Sequence, residues 1–246
     1  MNQLPKRVAI VTGAASGIGR ATAEALAAAG YALALVDLDA NRAASVAESL
    51  GDDVITVAAD VGDGQQVRAA AAAVIDKFGR ADILITSAGH SEFVAFEEID
   101  EVAWRRMLDV HLTGAFHCCQ AVLPAMRSEH FGRIVFVASS GVMNGGSGLV
   151  SHYVAAKAGL IGLARALARE LGPHGITVNC VAPGPIGTPL LERVAPERFD
   201  QYVATTPVGR LGAAADVARA IEYLVADEAE FVTGTVLAVN GGRTMW

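Results

Sequence analysis

Basic clusters, long apolar runs and paired cysteines are all scarce in this chain, and each scarcity closes off a class of function. Lys and Arg number 19 against 26 Asp and Glu, a formal net charge of −7, and no Lys/Arg cluster interrupts that balance. A nucleic-acid surface needs concentrated positive charge, so a nucleic-acid partner is not expected. The basic pair Lys6-Arg7 is followed by VAIV, which stops at Thr12-Gly13. That run is too short for the apolar region of a signal peptide or for a membrane span. The expectation is therefore a soluble, cytoplasmic chain with no membrane partner. Cys118, Cys119 and Cys180 are odd in number and lack metal-ligand spacing, which reads as reduced core thiols and no metal site. No Ser/Pro-rich linker and no internal repeat divides the sequence, so residues 1–246 are expected to form a single domain.

What the chain does hold is core material: 52% of residues are hydrophobic and only 18% are charged. Seven short runs read as strands: RVAIVT, ALALVD, VITVAA, DILITS, RIVFVAS, ITVNCVA and TVLAVN. Most are apolar almost without interruption, as strands covered on both faces must be. Between them lie Ala-rich amphipathic stretches at 17–29, 40–50, 63–78, 101–127, 152–171 and 214–227. Such alternation implies right-handed βαβ crossovers, hence an α/β, doubly wound Rossmann fold with a seven-stranded parallel sheet and helices on both faces. The segment 183–213 has no clear strand and holds Pro183, Pro185, Pro189, Pro196 and Pro207. A long connection near strand ends suits a substrate lid, placed at about 189–206. Leu190, Leu191, Val194 and Phe199 would form the lid's apolar face, with Glu192, Arg193, Glu197 and Arg198 on its solvated face.

The stretch RVAIVTGAASGIGRATAEALAAAG is a strand, a glycine-rich turn and a helix in that order. Gly13 allows the tight turn, Gly17 lets backbone approach a pyrophosphate, and Gly19 lets helix pack on strand. The helix N-terminus then offers free N–H groups and the positive end of its dipole to the phosphates. Ser16 and Ile18 belong to the same turn. Asp37 ends the second strand, about 20 residues on, where an acid accepts from the adenosine ribose hydroxyls. Its charge would repel a 2′-phosphate, and neither Ser16 nor Leu38 supplies a cation, so NAD is favoured over NADP. A plainer role is also open: Asp37 or Asp39 could cap the following helix.

SHYVAAKAG puts Tyr153 and Lys157 four residues apart on one helix face. A tyrosine of ordinary pKa near 10 is a poor base, but a nearby ammonium favours its phenolate and lets the pair act as acid or base. TGAASGIG, then YVAAK, then VNCVAPGPIGT together resemble the short-chain dehydrogenase/reductase family over essentially the whole chain. The resemblance implies Gly13, Gly17 and Gly19 on the pyrophosphate, Asp60 and Val61 beside the adenine, and Ala88 and Gly89 under the adenosine. It also implies Tyr153 as proton donor or acceptor and Lys157 on the nicotinamide ribose. Pro183, Gly184, Ile186 and Thr188 would line the nicotinamide. Ser87 stands where the family has a second asparagine, and Asn240 where it usually has an aspartate. For the family's substrate-polarising serine, counting thirteen back from Tyr153 gives Ser140, whereas counting along GRIVFVAS gives Ser139. The first count is preferred, which favours Ser140.

His111, in DVHLTGAF, reads alone as a core histidine. Aligned on LTGAF, it takes the place of the family's asparagine, which supports a water leading to the lysine; an imidazole can also donate and accept. The functional expectation is an NAD(H)-dependent oxidoreductase that interconverts a small-molecule secondary alcohol and its ketone. The alternatives are a 3-oxoacyl-thioester reductase using NADPH, and a dinucleotide-binding regulator without turnover. Family resemblance further implies a homotetramer that pairs helices like 101–127 and 152–171; separately, the Met245-Trp246 tail is expected to contact a neighbour.

Overall fold

The computed structural model describes residues 6–245; Trp246 lies outside them. The expected strands all form: β1 (Val8–Thr12), β2 (Ala32–Asp37), β3 (Val54–Ala58), β4 (Ile83–Thr86), β5 (Gly132–Val137), β6 (Ile176–Pro183) and, after two short ones, β9 (Val236–Val239). They make a seven-stranded sheet of order β3-β2-β1-β4-β5-β6-β9, parallel throughout. Why the strands are apolar almost without interruption is visible in β5. Ile134 and Phe136 enter the core on one face, while Val135 and Val137 enter the core on the other. Each large side chain removed from water there contributes about 1.5–3 kcal/mol.

The helices divide between those two cores. Val46, Leu26 and Val217, from α2 (Ala40–Ala47), α1 (Gly17–Ala28) and α10 (Ala214–Val225), pack on one face. Val74, Val122 and Leu160, from α3 (Gly64–Phe78), α5 (Gly114–Ser128) and α7 (Ser151–Leu171), pack on the other. Asp39 caps α2 by accepting from the Arg42 amide, and Asp63 caps α3. Cys118, Cys119 and Cys180 are buried free thiols, with burial pushing Cys118 and Cys180 up to about 12. No helix among the described residues is long and apolar enough to cross a membrane. Strand order reverses between β1 and β4, and the crevice at the carboxyl ends of these two strands is where a doubly wound sheet binds ligands.

Two expectations about local structure need correction. The stretch 101–127 is not one helix: α4 (Glu101–Leu108) passes through a π-helical turn, Asp109–Thr113, into α5. A π turn inserts one extra residue into the helix, and here it carries His111 inward, where the side chain is buried. Apolar periodicity does not register one inserted residue. The segment 183–213, expected to be strandless, contains the parallel pair β7 (Ile186–Gly187) and β8 (Gly212–Ala213). This pair closes the base of an excursion that carries α8 (Pro189–Val194) and α9 (Phe199–Ala204). The short α6 (Gly141–Asn144) follows β5.

Candidate active site

A cavity of about 980 Å³ opens at the carboxyl ends of the strands. Of the residues that the sequence assigns to catalysis or to cofactor binding, all but Gly19 line it. Gly19 acts one layer back: a Cβ there would overlap the Gly13 carbonyl oxygen, so only glycine lets α1 begin this close to the turn. Gly13 has φ +67°, and a Cβ on it would lie 2.7 Å from the Ala88 backbone. Thr12 was not anticipated; its hydroxyl accepts from the Ser87 and Ala88 amides and so fixes the β4 turn beside the glycine turn. Ser16 stands at the α1 N-cap without a side-chain cap bond, leaving the first-turn amides available to an anion. A Cβ on Gly17 would sit 3.5 Å from Thr188, which itself caps α8. These features fit a dinucleotide pyrophosphate.

Asp37 does not cap α2, since Asp39 does so. Its carboxylate instead accepts from the Ala15 and Asp39 amides at 2.9 and 3.0 Å and faces the cavity. Asp60 accepts from the Gly62 amide at 2.8 Å, and Val61 is buried beside it. On the far side of the crevice lie Pro183, Gly184, Ile186 and Thr188; the Gly184 amide donates to the Val239 carbonyl at 3.0 Å. Asn240 uses its side chain within the last turn, donating to Thr244 and accepting from Gly242.

Tyr153 and Lys157 project from α7 into the same space, with Lys157 Nζ 5.7 Å from the Tyr153 ring centroid. Lys157 is buried and donates to the Val137 carbonyl at 2.6 Å. Loss of water lowers its pKa to about 8, so the ammonium persists at neutral pH at a cost. Burial raises the Tyr153 phenol, and a hydrogen bond from Ser139 pulls it back toward the phenolate. Both serines offered by the sequence line the cavity. Ser139 faces the phenol while accepting from the Gly141 amide at 3.1 Å; Ser140 is buried, with its amide donating to the Pro183 carbonyl at 2.9 Å.

His111 packs edge-on against Tyr153, ring centroids 5.3 Å apart. Its Nε2 lies 2.8 Å from the His90 carbonyl oxygen and 3.2 Å from the His90 amide nitrogen. Its Nδ1 is buried with no partner. Burial, aided by the Lys157 charge, holds the imidazole well below its usual pKa and keeps it neutral. Gly89 is required beside it, because a Cβ there would overlap the ring. His152, beside Tyr153 in the chain, points to neither solvent nor cavity: it is fully buried, with Nε2 3.4 Å from Glu92.

Over the cavity, Leu190, Leu191 and Val194 face inward as expected, but Phe199 is not in the lining and Tyr202 is. Arg198 also departs from expectation. It is not on a solvated face: it donates to the Ser147 carbonyl at 2.7 Å and lies 4.5 Å from the Phe93 ring centroid. Such closure between distant segments leaves no local pattern to read.

Residues 13–244 match a family described as enoyl-(acyl carrier protein) reductase. The chain belongs to the short-chain dehydrogenase/reductase family. It is 41% identical over 247 residues to the (2S)-[(R)-hydroxy(phenyl)methyl]succinyl-CoA dehydrogenase subunit BbsD of Thauera aromatica, covering 99% of this chain and 98% of that protein. It is 37% identical to the 3-oxoacyl-[acyl-carrier-protein] reductase FabG of Escherichia coli K12, covering 97% and 98%. A 3-ketoacyl-(acyl-carrier-protein) reductase from Brucella melitensis, solved with NADH, superposes with a TM-score of 0.93 at 31% identity, covering 99% of this chain and 100% of that one. This short-chain dehydrogenase/reductase is an NAD(P)-dependent oxidoreductase of the type acting on CH–OH groups.

Proposed function

We propose that this chain interconverts a 3-oxoacyl thioester and the corresponding 3-hydroxyacyl thioester, with NAD(H). The observation that carries the thioester is the likeness, over nearly the full chain, to one protein named for a CoA thioester and another named for an acyl-carrier-protein thioester. It narrows the broader secondary-alcohol expectation. NAD(H) over NADP(H) is supported by the free cavity face of Asp37, with Asp60 and Asp63 also lining that end and repelling a 2′-phosphate.

When bound, the nicotinamide supplies or accepts the hydride. Tyr153 gives the proton to the substrate oxygen during reduction and takes it during oxidation. Ser139 holds that oxygen, and the Lys157 ammonium favours the phenolate. His111 then serves the proton path. As Nε2–H it donates to the His90 carbonyl; as bare Nε2 it accepts from the His90 amide. Either tautomer is satisfied there, so Nδ1 can offer a water a lone pair or a proton. Positioning of these groups supplies much of the rate. The same reading takes residues 189–206 as a substrate lid and the chain as a homotetramer, with exposed Val102 and Phe116 of α4 and α5 suited to a subunit contact.

The test is turnover of acetoacetyl-CoA beside simple secondary alcohols and ketones, each with NADH or NAD and with NADPH or NADP. Preference for the thioester and NADH is expected. Binding of dinucleotide without any turnover would leave only the regulator, and a stronger rate on simple ketones would remove the thioester.

A further inference from the structure

The carboxylates of the cavity gather at one end, although Arg105 and Arg106 of α4 line the cavity as well. Its lining carboxylates are Asp37, Asp60, Asp63 and Asp109, and all belong to the end beside β2 and β3. Asp37 ends β2, Asp60 and Asp63 follow β3, and the Asp109 Cβ lies beside the place where a Gly62 side chain would stand. Under α8 and α9, at the opposite end, no carboxylate lines the wall among the described residues; Arg243 does. The acids of the covering segment, Glu192, Glu197 and Asp200, face solvent.

Arg243 is half-buried and has no carboxylate partner among the described residues, although the chain carries a net charge of −7. One guanidinium nitrogen donates to the Thr205 hydroxyl, and the group lies 5.1 Å from the Tyr202 ring centroid. That ring is itself fixed. Tyr202 is buried, its hydroxyl is 2.9 Å from Ser147 Oγ, and the Ser147 carbonyl is held by Arg198. Arg198 is thus consumed by structure, whereas Arg243 is oriented on a rigid platform with most of its five N–H donors uncommitted. A planar, pre-oriented guanidinium facing a ligand cavity suits bidentate recognition of carboxylate or phosphate.

We propose that Arg243 is the anion-recognition residue of the substrate cavity, binding a carboxylate on the acyl chain or a phosphate of the thioester carrier. This rests on the thioester reading, and the test separates the two. Three substrates are compared: the neutral N-acetylcysteamine thioester of acetoacetate, acetoacetyl-CoA, and the N-acetylcysteamine thioester of a 3-oxo diacid. Arg243→Gln is expected to raise KM about ten- to hundredfold on an anion-bearing substrate. Its kcat, and its KM on the neutral thioester, should stay within about twofold, and Arg243→Lys should recover part of the loss. A loss confined to the CoA substrate assigns the phosphate, and one confined to the diacid assigns the carboxylate. An equal loss on the neutral thioester, or no loss on either anionic one, overturns the proposal. If the unaltered enzyme turns over no thioester, the thioester reading fails on its own. The same split, read on a neutral ketone against one bearing a carboxylate, then decides Arg243.

Discussion

Replacing Lys157 by Met should abolish turnover and yet make the protein comparatively more stable at neutral pH than at alkaline pH. The lysine sits buried with its pKa lowered from 10.5 to about 8 by loss of water. Below pH 8 the folded protein holds a proton that burial disfavours, and each pKa unit corresponds to 1.36 kcal/mol. The charged lysine therefore costs about 3 kcal/mol of stability at pH 7. The sign follows from proton counting. Between pH 8 and 10.5 the unfolded chain binds more protons than the folded one, so stability rises with pH across that window. Met carries no such dependence but leaves the Val137 carbonyl without its 2.6 Å donor, a loss of about 1–3 kcal/mol. At pH 7 these opposing effects leave Lys157→Met between equal to the unaltered protein and about 2 kcal/mol more stable. By pH 9.5 the unaltered protein regains about 2 kcal/mol and the difference moves by that amount in its favour. Urea unfolding of both proteins at pH 7 and 9.5, at one protein concentration, measures the movement, since titrating groups not coupled to Lys157 cancel in the difference. A stability difference that does not change with pH would refute the argument that Lys157 is buried at an electrostatic cost.

Three further substitutions test the neighbouring groups. His111→Asn should keep activity within about tenfold, while His111→Leu should lose about a hundredfold or more with NADH affinity, read by fluorescence titration, nearly unchanged; wild-type turnover in both would return His111 to the core. Gly89→Ala, which drives a methyl into the buried His111 ring, should cost about 1–3 kcal/mol in urea unfolding; unchanged stability would contradict the packing. Ser139→Ala should lower kcat about a hundredfold and Ser140→Ala only severalfold, and steady-state kinetics giving the reverse ranking would restore Ser140.

How far the sequence carries the reader depends on the range of the interaction that decides each feature. Strand apolarity answers to a sheet covered on both faces, so all seven strands and their alternation with helices are legible from the chain alone. The glycine turn is legible for a similar reason: Gly13 and Gly19 are forced by backbone contacts within a few residues or across one strand pair. Ser139 against Ser140 is a matter of one residue of register, and an extra residue between β5 and α7 makes two counts equally consistent with the motif. The π turn at Asp109–Thr113 hides in the same way, because one additional residue barely disturbs a helical pattern. Arg198 and Arg243 fail for another reason. Their partners Ser147, Phe93, Tyr202 and Thr205 come from separate segments, and a charged residue in an amphipathic stretch carries no mark of which it will meet.

Three costly groups share one wall of the cavity. Lys157 keeps an ammonium out of water, His111 keeps a bare Nδ1 there, and Tyr153 holds a phenol whose ionisation burial opposes. None of these is needed to hold the sheet together, because the two apolar cores on either face are complete without them. A structure selected only for stability would place Met, Leu and Phe at the three positions. Their common direction, toward the crevice between β1 and β4, is what the proposed reaction, which moves one proton through that crevice, requires. A hydrogen bond from Ser139 opposes the rise in the phenol's pKa, and the neutral imidazole can present either tautomer. Gly89 leaves the ring the space to do so. Proton transfer at neutral pH needs groups that sit near the balance between their two states, and burial brings Lys157 toward that balance at the expense of stability.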